Sequence, residues 1–174
     1  MKTLKYGISI LGAALLAACG GNSTPNGALI DTPVLLGTLT KAQFDGGPLT
    51  GLSGKAKCDV KVVSLNYVTP GVKGESSNAS GVLLLPSGAD CTAAAPLVAY
   101  AKGTDVQKPR TLANPADGET FLLAAMYASQ GYAVVATDYL GFAKSNHSYH
   151  PYLHADTEAS SVIDSIRAAR NAVS

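Results

Sequence analysis

The sequence predicts an α/β fold built on a mixed sheet, in which antiparallel strands come first and parallel strands with crossover helices follow. Residues 59–69 alternate between polar and apolar side chains, and residues 77–86 form a second strand-like segment after a Pro-Gly turn. Residues 96–100 and 132–138 are apolar segments of strand length, typical of strands covered on both faces. The helical spacing of apolar residues between them indicates a right-handed strand, helix, strand crossover.

Two helices are predicted from the same spacing. The first covers residues 118–130 and ends at Gly131, a residue type that favours the C′ position of a helix. The second begins after Asp156, the expected N-cap, and Asp164 and Arg167 form an exposed pair on it. Its expected buried face is an apolar stripe of Ala159, Val162, Ile163, Ile166, Ala169 and Val173. Residues 29–57 are interrupted by glycine and proline, which predicts mostly irregular chain with at most one short strand.

The first nineteen residues resemble a bacterial lipoprotein signal. Lys2 and Lys5 precede an apolar run at residues 8–18, and a Leu-Ala-Ala-Cys box ends at Cys19. The apolar run is shorter than the roughly 20 residues that a bilayer span needs. This resemblance implies that residues 1–18 are a signal peptide and that the exported chain is anchored to the membrane by a lipid on Cys19. Gly20, rather than aspartate, favours the outer membrane within the cell envelope, and a secreted form is the alternative.

Composition predicts one domain behind a short tether. Removing residues 1–18 takes away two lysines and no acid, so the formal charge falls from +1 to −1 and no nucleic-acid partner is expected. Residues 19–28 are rich in Gly, Asn, Ser and Pro and predict a flexible tether. With 47% hydrophobic residues in the sequence, residues 29–174 are expected to form one globular domain.

Cysteine and histidine usage predicts a disulfide and no metal site. Export would place Cys58 and Cys91 in an oxidising compartment, where we expect them to form a disulfide, with two buried free thiols as the alternative. Neither has a C-x-x-C partner, which disfavours zinc. Three histidines cluster at positions 147, 150 and 154, but Pro151 prevents one continuous helix face. No metal and no cofactor is therefore expected.

Several motifs carry a family resemblance. They are Tyr-Ala-Lys-Gly-Thr at residues 100–104, Gly-Tyr-Ala-Val-Val-Ala-Thr-Asp-Tyr-Leu-Gly at 131–141, His-Pro-Tyr at 150–152, and Asp-x-x-Arg-Ala-Ala-Arg at 164–170. Over about two thirds of its length the chain resembles the amino-terminal half of exported bacterial α/β-hydrolases of the secretory lipase and carboxylesterase kind. The resemblance implies an α/β-hydrolase fold, amino-terminal half only, so that residues 29–174 would be a partial domain.

The resemblance also implies a chemistry, the hydrolysis of small-molecule or lipid carboxylic esters through a serine acyl-enzyme. In such folds the loop at residues 102–105 supplies one backbone N–H of the oxyanion hole, with Gly103 allowing close approach and Thr104 as the donor. Lys102 stands where the family has histidine. An ordinary strand-to-helix turn is the alternative for this loop. Substrate-binding residues are expected to be Lys102, Asp105, Tyr139, Tyr149 and Tyr152.

The catalytic triad is not recognisable in these 174 residues. No G-x-S-x-G pentapeptide occurs, and Ser145 lacks the flanking glycines of a nucleophile elbow, which predicts a solvent-facing turn serine. Asp138 is interpreted as a residue that fixes a tight turn. The resemblance implies that the serine, acid and histidine lie beyond Ser174, so the 174-residue chain is expected to be inactive. The alternatives are a noncatalytic envelope lipoprotein that binds a partner, and a peptidase on the same fold.

Overall fold

A computed structural model describes residues 24–174, which form a five-stranded mixed sheet. Its strands are β1 Val34–Leu39, β2 Asp59–Pro70, β3 Ser76–Ser87, β4 Leu97–Tyr100 and β5 Ala133–Thr137. They lie in the order β1-β2-β3-β5-β4, and every neighbouring pair is antiparallel except β4 and β5, which are parallel. The predicted antiparallel pair and the predicted parallel crossover are both confirmed.

Helices follow the predicted order, with some shifted ends. They are α1 Lys41–Asp45, α2 Thr50–Ser53, α3 Gly118–Met126 and α4 Ala155–Val173, and a 3-10 turn at Ala128–Gln130 extends α3. Gly131 adopts a left-handed conformation with φ 102°, as predicted for a residue that ends a helix. The N-cap prediction at Asp156 is wrong, because the N-cap is His154, two residues earlier, whose side chain accepts a hydrogen bond from the Thr157 amide. Residues 29–57 hold β1 and two short helices, more structure than predicted.

The sheet is covered on both faces because side chains alternate along each strand. Val134 and Ala136 of β5 point to one face and pack with Leu123 of α3. Val135 points to the other face and packs in a second cluster with Ala168 of α4. Helices therefore cover both faces of the sheet, and the carboxyl ends of β4 and β5 lie uncovered at one end of it.

The predicted apolar stripe of α4 is wrong. Of that stripe only Ala169 is buried, and the others are exposed or half-buried: Ala159, Val162, Ile163, Ile166 and Val173. The face that meets the sheet is instead made of small and polar residues, Thr157, Ser161, Asp164, Ser165, Ala168 and Ala169. Small side chains let the helix backbone approach the sheet closely enough for the Tyr67 hydroxyl of β2 to donate to the Ser161 carbonyl at 2.9 Å.

The ion pair on α4 also differs from the prediction, because one of its partners is buried. Asp164 has no exposed side-chain surface, whereas the Arg167 side chain is 54% exposed. Asp164 accepts a hydrogen bond from Arg167 Nη1 at 2.6 Å and another from the Thr69 hydroxyl at 2.8 Å. The carboxylate therefore connects α4 to β2 and is not a surface group.

Strand β4 is an edge strand whose side chains contact the core on both faces, as predicted, but they are only partly covered. Its residues Leu97, Val98 and Tyr100 are half-buried and Ala99 is exposed. Within residues 24–174 no strand pairs with β4 on the side away from β5. An apolar edge of this kind remains available for pairing.

The predicted disulfide between Cys58 and Cys91 is confirmed, with the two Cα atoms 5.9 Å apart. It lies at the end of the sheet where β2 begins and β3 ends. Because it closes a loop with a sequence separation of 33, we expect the double variant Cys58→Ala/Cys91→Ala to lose about 3 to 4 kcal/mol of unfolding free energy. Urea unfolding checks this, and wild-type protein in reducing agent is the control. An unchanged unfolding midpoint in both samples would contradict it.

The predicted signal peptide at residues 1–18, the lipidation site Cys19 and the first part of the tether lie outside the described residues. The end of the tether is held against the domain. The Gly27 amide donates to the Val68 carbonyl at 2.8 Å, and the Val68 amide donates to the Ala28 carbonyl at 2.9 Å. Ordered chain therefore begins before the predicted boundary at residue 29. None of the helices formed by residues 24–174 has the length and apolar character needed to cross a bilayer.

Candidate functional site

Two loops meet at the end of the sheet where β4 and β5 terminate. Because β4 and β5 are parallel neighbours, the loop after Tyr100 and the loop after Thr137 leave the same edge. Residues 102–105 from the first loop and Tyr139 and Phe142 from the second line one pocket of about 200 Å³. Its other walls come from the chain before α4 and from the first turn of α4: His150, Tyr152, Leu153 and Glu158.

The backbone at Gly103 and Thr104 is open toward solvent. Both residues are exposed, and within residues 24–174 neither amide donates a hydrogen bond to another group. A Cβ atom on Gly103 would meet no atom within 4 Å, so no described neighbour requires glycine there. Two residues that line the pocket therefore carry backbone amides with no hydrogen-bond partner among the described residues.

The carboxylate of Asp105 determines the shape of this loop. Its side chain is 7% exposed and accepts from Lys102 Nζ at 3.1 Å and from Arg110 Nη1 at 2.9 Å. It also accepts from the backbone amides of Val106 at 2.7 Å and Gln107 at 3.0 Å. The Gln107 amide, followed by Lys102 and Arg110, lowers the pKa of Asp105 well below its usual range despite partial burial. The loop is therefore fixed around a carboxylate that stays ionised.

Arg110 joins this loop to the secondary structure beside it. Its guanidinium contacts Asp117, the N-cap of α3, at 3.4 Å and Glu119 in the first turn of α3 at 2.7 Å. Glu119 in turn accepts from the Tyr100 hydroxyl at 2.8 Å, a hydrogen bond that raises the pKa of Tyr100 to about 12. The loop is thereby connected to β4 and α3. The sequence analysis missed Arg110, since nothing local marks an arginine whose partners lie at several separate positions.

Lys102 points inward. Its side chain is 1% exposed, and Nζ lies 4.5 Å from the centroid of the Phe142 ring as well as on Asp105. The Tyr152 hydroxyl donates to the backbone carbonyl of Asp105. Lys102 therefore braces the two loops against each other.

The remaining expected binding residues differ in their placement. Tyr139 has a positive φ of 70° and lines the pocket, whereas Tyr149 is 58% exposed and does not line it. The Tyr149 ring lies 4.9 Å from the ring of His147. His150, which the sequence analysis did not assign to the pocket, lines it, and its Nδ1 forms a hydrogen bond with the Leu140 carbonyl at 2.9 Å. In the described part of the chain no three His, Cys, Asp or Glu side chains are placed to hold a metal ion.

Ser145 and Asp138 are both buried and engaged in structural hydrogen bonds. The expectation of a solvent-facing Ser145 is wrong, because it is 8% exposed and its hydroxyl donates to the Asn78 carbonyl at 2.6 Å. Asp138 accepts from the Ser80 hydroxyl, the Thr111 hydroxyl and the Leu112 amide at 2.7 to 2.8 Å. It holds the chain at residues 111–112 against the end of β5, which agrees with its interpretation as a structural residue.

We expect Asp138→Ala to lose about 3 kcal/mol of unfolding free energy, since the substitution leaves two buried donors and one half-buried donor without their acceptor. Burial raises the pKa of Asp138 in the folded state. Because the folded state holds the proton more tightly, Asp138 adds stability at low pH. This added stability is fully present below the unfolded-state pKa of about 3.9 and is lost as the pH rises through the folded-state pKa. The difference between wild type and variant should therefore be larger at low pH.

Urea unfolding at several pH values checks the Asp138 prediction. The control is Asp90→Ala, because the Asp90 side chain is 76% exposed and, within residues 24–174, its one ion pair is with Lys41 across 3.6 Å. The control should stay close to wild type at every pH. A variant and a control that lose the same stability would contradict the structural role of Asp138.

Comparison with known structures identifies the fold. Residues 24–174 have the architecture of the amino-terminal portion of an α/β-hydrolase fold, with the mixed sheet and crossover that the sequence predicts. The rice cell wall degrading esterase LipA from Xanthomonas oryzae, in a ligand-bound form, is 40% identical with a TM-score of 0.78. That match covers 86% of this chain and 38% of the esterase.

A second similar structure is more distant in sequence. A protein from Legionella pneumophila described as a hydrolase is 28% identical with a TM-score of 0.72, over 82% of this chain and 38% of that one. The chain thus spans well under half the length of both structures. No protein-family model matches the sequence, and no curated protein matches it either.

Proposed function

We propose that this chain is the amino-terminal part of a serine carboxylic ester hydrolase, and that the loop at residues 102–105 supplies one side of its oxyanion hole. One observation carries the proposal. Gly103 and Thr104, whose amides have no partner among the described residues, line a pocket that the loops of two parallel strands share. The 40% identity to an esterase supports the same chemistry.

The proposed role of the loop is electrostatic. When a serine attacks an ester carbonyl, negative charge develops on the carbonyl oxygen, and fixed N–H donors stabilise that charge without having to reorganise. Thr104 is the proposed donor, and Gly103 leaves space for the substrate. Asp105, held by Lys102 and Arg110, keeps the two amides in place. Tyr139 and Tyr152 line the pocket for the acyl or alcohol group.

The proposed nucleophile, acid and histidine are not among these 174 residues, so the chain alone should not turn over an ester. The proposal is tested by joining residues 24–174 to the part of LipA that they do not match, and assaying a short-chain nitrophenyl ester. We expect turnover from the fusion and none from the chain alone. A matched nitroanilide separates ester hydrolysis from a peptidase activity. Activity of the chain alone, or a folded but inactive fusion, would overturn the proposal.

We further propose that the chain is exported and anchored to the cell envelope through Cys19, with the outer membrane as its location. The support is the Leu-Ala-Ala-Cys box after a short apolar run. Metabolic labelling with a fatty acid, comparing wild type with Cys19→Ala, tests this. Equal labelling of the two chains would exclude lipidation at Cys19.

A further inference from the structure

A second cleft, separate from the candidate active site, lies beside β1. The loop after β5 gives Tyr139 and Phe142 to the candidate site, whereas its following residues Ala143 and Lys144 line this second cleft. The cleft has a volume of about 360 Å³, within the usual range for small-molecule sites. All of its lining residues belong to the described part of the chain.

Most of the cleft wall is apolar. Val34 and Leu36 of β1 form one side and remain 50% and 40% exposed, and Pro109 and Ala113 also line the cleft. Covering half-exposed aliphatic side chains with a hydrocarbon is favourable, and the free energy of binding improves in proportion to the apolar area that is buried. The wall therefore suits an alkyl chain.

The polar part of the cleft carries a positive charge with unused donors. Lys144 Nζ contacts the Ser64 hydroxyl oxygen at 3.4 Å, and in the described part of the chain no carboxylate lies within 4.0 Å of this ammonium. An ammonium has three N–H donors, so at least two are available. Ser64 is 6% exposed, and its own hydroxyl hydrogen is donated to no group of the described residues.

Other polar groups near the cleft are already occupied. The hydroxyls of Ser80 and Thr111 both donate to the buried carboxylate of Asp138, so they have no hydrogen left for a ligand. An anionic group entering the cleft would therefore find its donors at Lys144 and Ser64 and would keep away from Asp138. The unused donors and the charge both favour a carboxylate at that end.

We propose that this cleft binds an amphipathic carboxylate, with its hydrocarbon chain against Val34 and Leu36 and its carboxylate on Lys144 and Ser64. The proposal goes beyond ester hydrolysis, and its test needs no turnover. Its failure therefore leaves the proposed function untouched, and the reverse also holds.

The test is calorimetric titration of the purified chain with decanoate and, separately, with decanol, which has the same chain length and no charge. We expect both to bind, decanoate more tightly. Lys144→Met should weaken decanoate binding by about fivefold and leave decanol binding unchanged, because only the charged contact is lost. The matched control Lys73→Met, on the turn between β2 and β3, should alter neither.

A second variant keeps the test informative about the apolar wall. Leu36→Ser on the partly exposed wall should weaken both ligands, and thermal melting confirms that the variant is folded. The absence of decanoate binding to the wild-type chain would overturn the proposal, as would equal effects of Lys144→Met on decanoate and decanol. Sedimentation that shows Leu36→Ser dissociating an oligomer, with no effect on decanoate, would assign the cleft to a contact between copies and also overturn it.

Discussion

Gly141→Ala is expected to lose about 2 to 5 kcal/mol of unfolding free energy. Gly141 has φ 83°, a conformation that costs a residue with a side chain about 1 to 2 kcal/mol. A Cβ atom there would also overlap the carbonyl group of Tyr149 and the amide nitrogen of His150. Both neighbours are backbone, so relief requires the chain at residues 149–150 to move, and such overpacking typically costs a further 1 to 3 kcal/mol.

The control for this prediction is Gly74→Ala. Gly74 has a similar φ of 77°, but a Cβ atom on it would meet nothing within 4 Å. It therefore isolates the conformational cost, and we expect a loss of about 1 to 2 kcal/mol. Urea unfolding of both variants measures the difference. If the two variants lose equal stability, residues 149–150 do not pack on Gly141 as the structure shows.

Thr104→Pro is expected to reduce kcat by about 10²- to 10³-fold in the fusion with LipA, because proline removes the N–H that we propose stabilises the oxyanion. Thr104→Ala is the matched control, since it removes the side chain and retains the amide. We expect the alanine variant to stay within a few-fold of the unsubstituted fusion.

Steady-state kinetics on a nitrophenyl ester and a thermal melt check this prediction together. Thr104 is exposed, so both variants should melt close to the unsubstituted fusion. Gly103→Ala adds a third comparison. The open space around Gly103 predicts normal stability, whereas a methyl group there would occupy the space that we propose for the substrate and impair turnover. Equal kcat for the proline and alanine variants would remove Thr104 from the oxyanion hole and favour an ordinary turn.

The central part of the fold could be predicted because its signals are local. The alternation in β2 and β3 and the apolar run that becomes β5 each lie within a few residues, and the parallel pairing of β4 with β5 follows from one helix between them. The parallel pairing in turn places residues 102–105 and Tyr139, which follow these two strands, at the same end of the sheet. Strand order and chain direction alone are enough to place such loops.

The failures have a common physical cause in contacts between distant residues. Helix α4 buries Asp164 and Ser161 because β2 offers them the hydroxyls of Thr69 and Tyr67, which hydropathy along the helix does not show. Arg110 is likewise fixed by acids from two segments. The resemblance predicts Tyr149 as a pocket residue because it precedes the His-Pro-Tyr motif. In the structure the backbone of Tyr149 lies against Gly141, and its ring is exposed.

The disulfide between Cys58 and Cys91 lies at the opposite end of the sheet from residues 102–105, since β3 runs antiparallel to β5. Reduction of the bridge should therefore lower the stability of the domain and leave the geometry of residues 102–105 unchanged. Fewer folded molecules would then be present, each with the same pocket. The end of the sheet that carries the disulfide is a convenient place to attach a dye or a solid support.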